Sequence, residues 1–145
     1  MGQVNQALDE NPCCKETHVT FWILGDTLDP GRVTAVLGIG PTYATRKGEL
    51  TPRTRIPSPM GSWSLETEGR LASTSLERHV AYLLDVLEPA KAQVRSFADD
   101  PSLRVEFHCY WMSETGHGGP ILSRDVLRRI ADLGAGLDFD LYSAV

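Results

Sequence analysis

The sequence predicts an α+β fold, a two-layer sandwich with helices on one face of a sheet. Two observations carry this. Strands rich in aromatic and β-branched residues alternate along the chain with amphipathic helices. A strand–helix–strand pattern also occurs twice. Leu28-Asp29 to Leu37-Gly38 and Leu122-Ser123 to Leu133-Gly134 each run apolar residue, cap, amphipathic helix and Leu-Gly stop, after an aromatic strand. Two such units with a helical insertion between them point to a ferredoxin-like sheet, in which the first strand lies between the third and the last. Two helices that merely share good caps would leave the same echo.

The elements follow in order. Residues 1–16 are polar and unpatterned and read as a flexible N-terminal arm, with one α+β domain over 17–145. Val19-Thr20-Phe21-Trp22-Ile23-Leu24, closed by Gly25, is nearly all apolar and reads as a central strand. Asp29 caps a short helix with Pro30 at its first position, Val33, Val36 and Leu37 on one face, and Gly38 as its stop. Pro41, Gly48, Pro52, Pro57, Pro59 and Gly61 punctuate residues 40–61, which read as loop. Trp63-Ser64-Leu65 alternates as a strand. Thr74 to Glu77 forms a capping box ahead of a helix whose apolar stripe is Leu76, Val80, Leu83, Leu84 and Leu87. Pro89 opens a second helical stretch, with Ala90, Val94 and Phe97 on one side. The third strand, Leu103 to Trp111, turns Val105, Phe107, Cys109 and Trp111 to one face and Glu106, His108 and Tyr110 to the other. After Gly116 to Pro120, Ser123 caps the last helix. The final strand alternates Leu137, Phe139 and Leu141 with Asp138, Asp140 and Tyr142.

Composition narrows the function. A length of 145 residues suits one domain, and 41% apolar with 23% charged residues is ordinary for a globular chain. A net charge of −5 argues against a general binder of nucleic acid or membrane surfaces. No run matches a spanning helix, and Met1 to Glu10 lacks the apolar stretch of a signal peptide. Gln6 stands where N-myristoylation wants Ser or Thr. Three cysteines, an odd number, point to a reducing compartment, and the expected location is cytoplasmic. Cys13 and Cys14 are adjacent, unlike a C-x-x-C ligand pair, and read as an exposed pair; Cys109 reads as core. No cofactor is expected.

The chain resembles a bacterial family known as domain of unknown function 4279. The ordered blocks are Phe21-x-Ile23-x-Gly25, Leu28-Asp29-Pro30, Leu37-Gly38-Ile39, Pro41-Thr42, Lys47-Gly48-Glu49, Trp63-x-Leu65, Leu87-Glu88-Pro89, Leu133-Gly134-Ala135 and Asp138-x-Asp140-x-Tyr142. They span residues 18–142 and leave Cys13 and Cys14 outside. The resemblance implies a small intracellular domain without an established activity. It also implies, for some relatives, an immunity-type role of binding and neutralising a toxin. It supplies no catalytic residues.

The leading candidate surface is the sheet face turned away from the helices. His18, Thr20 and Trp22 project there from the first strand, Glu106, His108 and Tyr110 from the third, and Asp138, Asp140 and Tyr142 from the last. Aromatic bodies mixed with carboxylates suit a protein partner, and a homodimer could cover the same face. A solvated face is the bland alternative. The same residues in sharper form would be a metal site of His18, His108, Asp138 and Asp140 in a small metal-dependent enzyme or ligand binder, though no H-x-H or H-x-x-x-H spacing supports it. A second surface is the one charge reversal, where Arg46, Lys47, Arg53 and Arg55 face only Glu49 and residues 46–55 carry +3. The glycine loop lacks the Gly-Lys-Ser/Thr of a phosphate loop and reads as a connection. No serine lies in a G-x-S-x-G elbow, and His79 reads as a boundary residue of its helix.

Overall fold

Period-two alternation in four segments builds most of a five-stranded sheet. The computed structural model describes residues 7–53 and 55–145. In chain order the elements are β1 (Cys14–Gly25), α1 (Pro30–Leu37), β2 (Tyr43–Thr45), β3 (Gly61–Glu66), α2 (Leu76–Leu87), α3 (Lys91–Ala98), β4 (Leu103–Ser113), α4 (Arg124–Asp132) and β5 (Gly136–Ser143). A 3-10 turn at Glu88–Ala90 joins α2 to α3. The strand order is β2-β3-β1-β4-β5. All neighbours are antiparallel except β4 and β5, which run parallel because α4 carries the chain back across the sheet.

The two-layer α+β class stands, with one correction to the strand order. β4, not β1, lies at the middle of the β1-β4-β5 group. β1 is instead flanked by β3 and β4, antiparallel to both. The long β1–β4 pairing, Cys14 to Gly25 against Leu103 to Ser113, joins segments far apart in sequence. No local pattern encodes such a pairing.

The core lies between the sheet and the helices. Val19, Phe21 and Ile23 of β1, Trp63 of β3 and Phe107 and Cys109 of β4 are fully buried. Val33, Val80, Leu83, Leu87, Val94 and Ile130 of the helices meet them from above. The helix ends are locally determined. Asp29 accepts from the Gly31 N–H at 2.9 Å, and Gly38 sits at φ +68°, where a Cβ would be strained. In α2 the cap is Ser75 rather than Thr74: its hydroxyl accepts from the Arg78 N–H, which leaves Glu77 free for another partner.

Other expectations shift as well. β1 begins at Cys14, inside the segment read as an arm, and residues beyond it are tied down. The Asn11 N–H donates to Thr74 Oγ1 and its amide to the Gly119 carbonyl, while Ala7 is buried. Residues 1–6 lie outside the described residues. Cys14 is buried and burial pushes its thiol up to about 11, so the two cysteines are not an exposed pair; Cys109 is core, with its thiol pushed up to about 12 by the same cause. β2 falls within the stretch read as loop. In β5 the apolar alternation does not produce core: Leu137 is half-buried, but Phe139 and Leu141 are 41% and 61% exposed, because the helix layer stops short of that edge strand.

Candidate functional site

The face of the sheet away from the helices is open, and the register decides which side chains meet on it. His18 lies opposite Tyr110, Thr20 opposite His108 and Trp22 opposite Glu106. His108 in turn lies opposite Asp138, Tyr110 opposite Asp140 and Met112 opposite Tyr142. Every residue singled out on this face from the sequence is therefore within one strand of another: His18, Thr20, Trp22, Glu106, His108, Tyr110, Asp138, Asp140 and Tyr142.

These side chains form a layer of stacked rings. Trp22 stacks on His108 with centroids 4.6 Å apart, and His18 on Tyr110 at 4.5 Å. Tyr142 tilts against Tyr110 at 5.3 Å. Carboxylates fix the polar edges of the rings. The Trp22 Nε1–H donates to Glu106 Oε1 at 2.9 Å, and Arg104 donates to the same oxygen. His108 Nδ1 donates to Asp138 Oδ2 at 2.8 Å. Burial and the nearby Glu16 carboxylate hold the Tyr110 phenol above its ordinary range. Asp140 has no ion pair among the described residues.

The face reaches further than the sequence reading placed it. Tyr43 of β2, Ser64 of β3 and Trp22 of β1 stand side by side in register. Between the two rings lies a slot of about 270 Å3 lined also by Thr20, Arg53 and Glu66. Tyr43 and Glu66 were not foreseen as site residues. The signal available was the alternation Ser62-x-Ser64-x-Glu66, which continues that of Trp63 and Leu65 on the opposite face.

Charges on the face are mostly acidic. Among the described residues, Glu66 and Glu106 pair with Arg53 and Arg104, Asp138 with His108 and Glu68 with His18, while Lys15 lines the same cavity as Glu16 and Glu68. Arg53 comes from the basic loop, and that loop is not a free cationic patch. Arg46 pairs with Asp29 at 2.8 Å, Lys47 with Asp26 at 2.6 Å, and Arg53 with Glu66 at 2.9 Å.

The metal-ligand set read from the sequence divides. His108 and Asp138 meet, but His18 turns to Glu68, 3.9 Å away, with Glu16 beside it. The ligand atoms of Glu16, His18 and Glu68 lie within 4.8 Å of one another, beside a cavity of about 410 Å3. Glu16 and Glu68 were missed, although Glu16-x-His18 shows the period-two spacing that puts both on one face.

Other features have internal duties. His79 is buried; its Nε2 donates to the Ser73 carbonyl, so Nδ1 accepts from the Thr67 hydroxyl. Thr67 Oγ1 in turn accepts from the Val19 N–H, so His79 locks α2 to β1 and is no boundary residue. The N-terminus of α4 already has its anion: the buried Glu77 accepts from the Ser123 N–H. In the glycine loop, Gly118 has φ +79° and sits against Cys13, where a Cβ would come within 2.8 Å of the Cys13 side chain. Among the described residues no helix is long and apolar enough to cross a membrane.

A family model described as Domain of unknown function (DUF4279) matches residues 15–144. No curated protein and no solved structure matches the chain.

Proposed function

The chain belongs to the DUF4279 family, and from that premise we propose that it acts by binding another protein through the open face of its sheet. The observation that carries this reading is the layer of half-buried rings, Trp22, His108, His18, Tyr110 and Tyr142, left uncovered within an acidic surround. Rigid aromatic groups at the centre and charges around them are the composition of a protein interface. Carboxylates outnumber the cations Lys15, Arg53 and Arg104 on this face, which favours a partner with a basic surface. An immunity-like role, capture of a basic toxin, is the form of this reading that the family resemblance implies. A cytoplasmic location goes with it, supported by three free thiols. A homodimer over the same face is disfavoured, because two copies would bring their carboxylates together.

The test is affinity capture from the native cell with the intact chain, Tyr142→Ala and Asp140→Lys. One basic protein retained by the intact chain and lost by both variants, with melting temperatures unchanged, is the expected result. Equal recovery by all three would exclude the face. Sedimentation of the purified chain checks for self-association.

A second reading, a metal-dependent ligand binder, is favoured by the convergence of Glu16, His18 and Glu68. One imidazole and two carboxylates suit zinc or manganese. Thermal melts with zinc, manganese and chelator address it, and a melting point unmoved by either ion removes it.

A further inference from the structure

We propose that the slot between Tyr43 and Trp22 is a guanidinium-binding site, held internally by Arg53 and opened to an arginine of the partner when Arg53 is displaced. The proposal deepens the protein-binding reading and rests on it for the source of the arginine.

The slot is built by register. Tyr43, Ser64 and Trp22 occupy three adjacent strands, so a small residue is flanked by two rings. Two strand spacings set the backbones of Tyr43 and Trp22 about 10 Å apart, room for a planar cation between their side chains. The acid at the slot is Glu66. Its side chain is only 17% exposed, which raises the value of a paired cation.

The chain shows which cation fits. Arg53 Nη1 and Nη2 donate to the two oxygens of Glu66 at 2.9 and 3.2 Å, and its Cζ lies 4.1 Å over the Tyr43 ring. A fork against a carboxylate and a flat face against an aromatic ring are what a guanidinium can do and an ammonium cannot. The occupant is accessible to competition. Arg53 is 54% exposed and sits in the proline-flanked loop, where among the described residues its own N–H bonds Thr51 Oγ1 at 3.3 Å. The slot it borders still has open volume beside Trp22, so an incoming guanidinium can enter before Arg53 leaves. Arg53 therefore acts as an internal competitor, and the basic loop as the element that must yield.

The experiment titrates N-acetyl-arginine amide, with N-acetyl-lysine amide as the control, following the Trp22 indole N–H by NMR. The arms are the intact chain, Arg53→Ala, Arg53→Lys, and Arg53→Ala with Glu66→Gln. Removing the competitor should tighten arginine binding by about tenfold or more, the loss of one favourable intramolecular contact. Arg53→Lys, which keeps the charge but not the fork, should fall between. Lysine amide should bind more weakly than arginine amide, and Glu66→Gln should abolish the gain. Arg53→Ala binding no tighter than the intact chain overturns the proposal. So does equal binding of the two amides, or a gain that survives Glu66→Gln. All arms are read only where the backbone amide spectrum matches that of the intact chain. Because no partner enters the titration, its failure is separate from failure of the capture experiment, which probes Tyr142 and Asp140 at the far end of the face.

Discussion

The two faces of the sheet are written by the same strands, one residue apart, and they are held in opposite ways. On the covered face the side chains of Val19, Phe21, Ile23, Phe107 and Cys109 are held chiefly by exclusion of water under the helices. On the open face the neighbouring residues, His18, Thr20, Trp22, Glu106, His108 and Tyr110, are half-buried with no helix above them. They are held by one another, ring on ring and ring N–H on carboxylate. Order on an uncovered sheet is thus obtained laterally, across strands, with no helix layer over the rings. A surface held this way is rigid before a partner arrives, which lowers the entropy cost of binding.

Phe107→Ala empties the middle of the covered face and should cost about 3–5 kcal/mol, read from urea unfolding. A cost under about 1 kcal/mol would mean that the core is not centred there.

The buried link between α2 and β1 comes next. His79→Phe removes both hydrogen bonds that lock Thr67 and Ser73 to α2 and should cost about 1–3 kcal/mol at neutral pH. Burial holds the His79 imidazole below its ordinary value of 6.5. Its neutral form therefore stabilises the fold fully above that value. As pH falls through 6.5 the unfolded chain takes up the proton first, so stability drops until the folded form is protonated too. Unfolding of the intact chain between pH 8 and 5 should show that loss, and His79→Phe should show less of it. Equal slopes would remove His79 as its source.

The smallest effect sharpens the open face. A double-mutant cycle with Trp22→Ala and His108→Ala should give a coupling of about 0.5–1.5 kcal/mol, the worth of one stacked pair beyond its area. Additive losses would mean that the rings are merely adjacent.

Where sequence and structure part, the reasons are physical. Trp22, Glu106, His108, Tyr110, Asp138, Asp140 and Tyr142 were legible because alternation alone sorts a strand's residues onto two faces. Tyr43 was hidden because its strand is three residues long, inside a stretch full of prolines. Phe139 and Leu141 look like core by alternation, yet whether an edge strand is covered depends on how far the helices extend. The +3 of the basic loop is real in composition, but Arg46, Lys47 and Arg53 close on Asp29, Asp26 and Glu66, 13 to 21 residues away in sequence, where no local rule reaches.

By itself the sequence determined the α+β class, the helix caps at Asp29, Gly38 and Ser123, and the membership of each face, since all of these depend on residues within a turn or two of one another. Tertiary structure alone decided the strand order, the place of β4 between β1 and β5, the pairing of Arg53 with Glu66 and the slot between Tyr43 and Trp22. Those depend on which distant segments pair, and that choice is made by the packing free energy of the whole chain against its loop entropy.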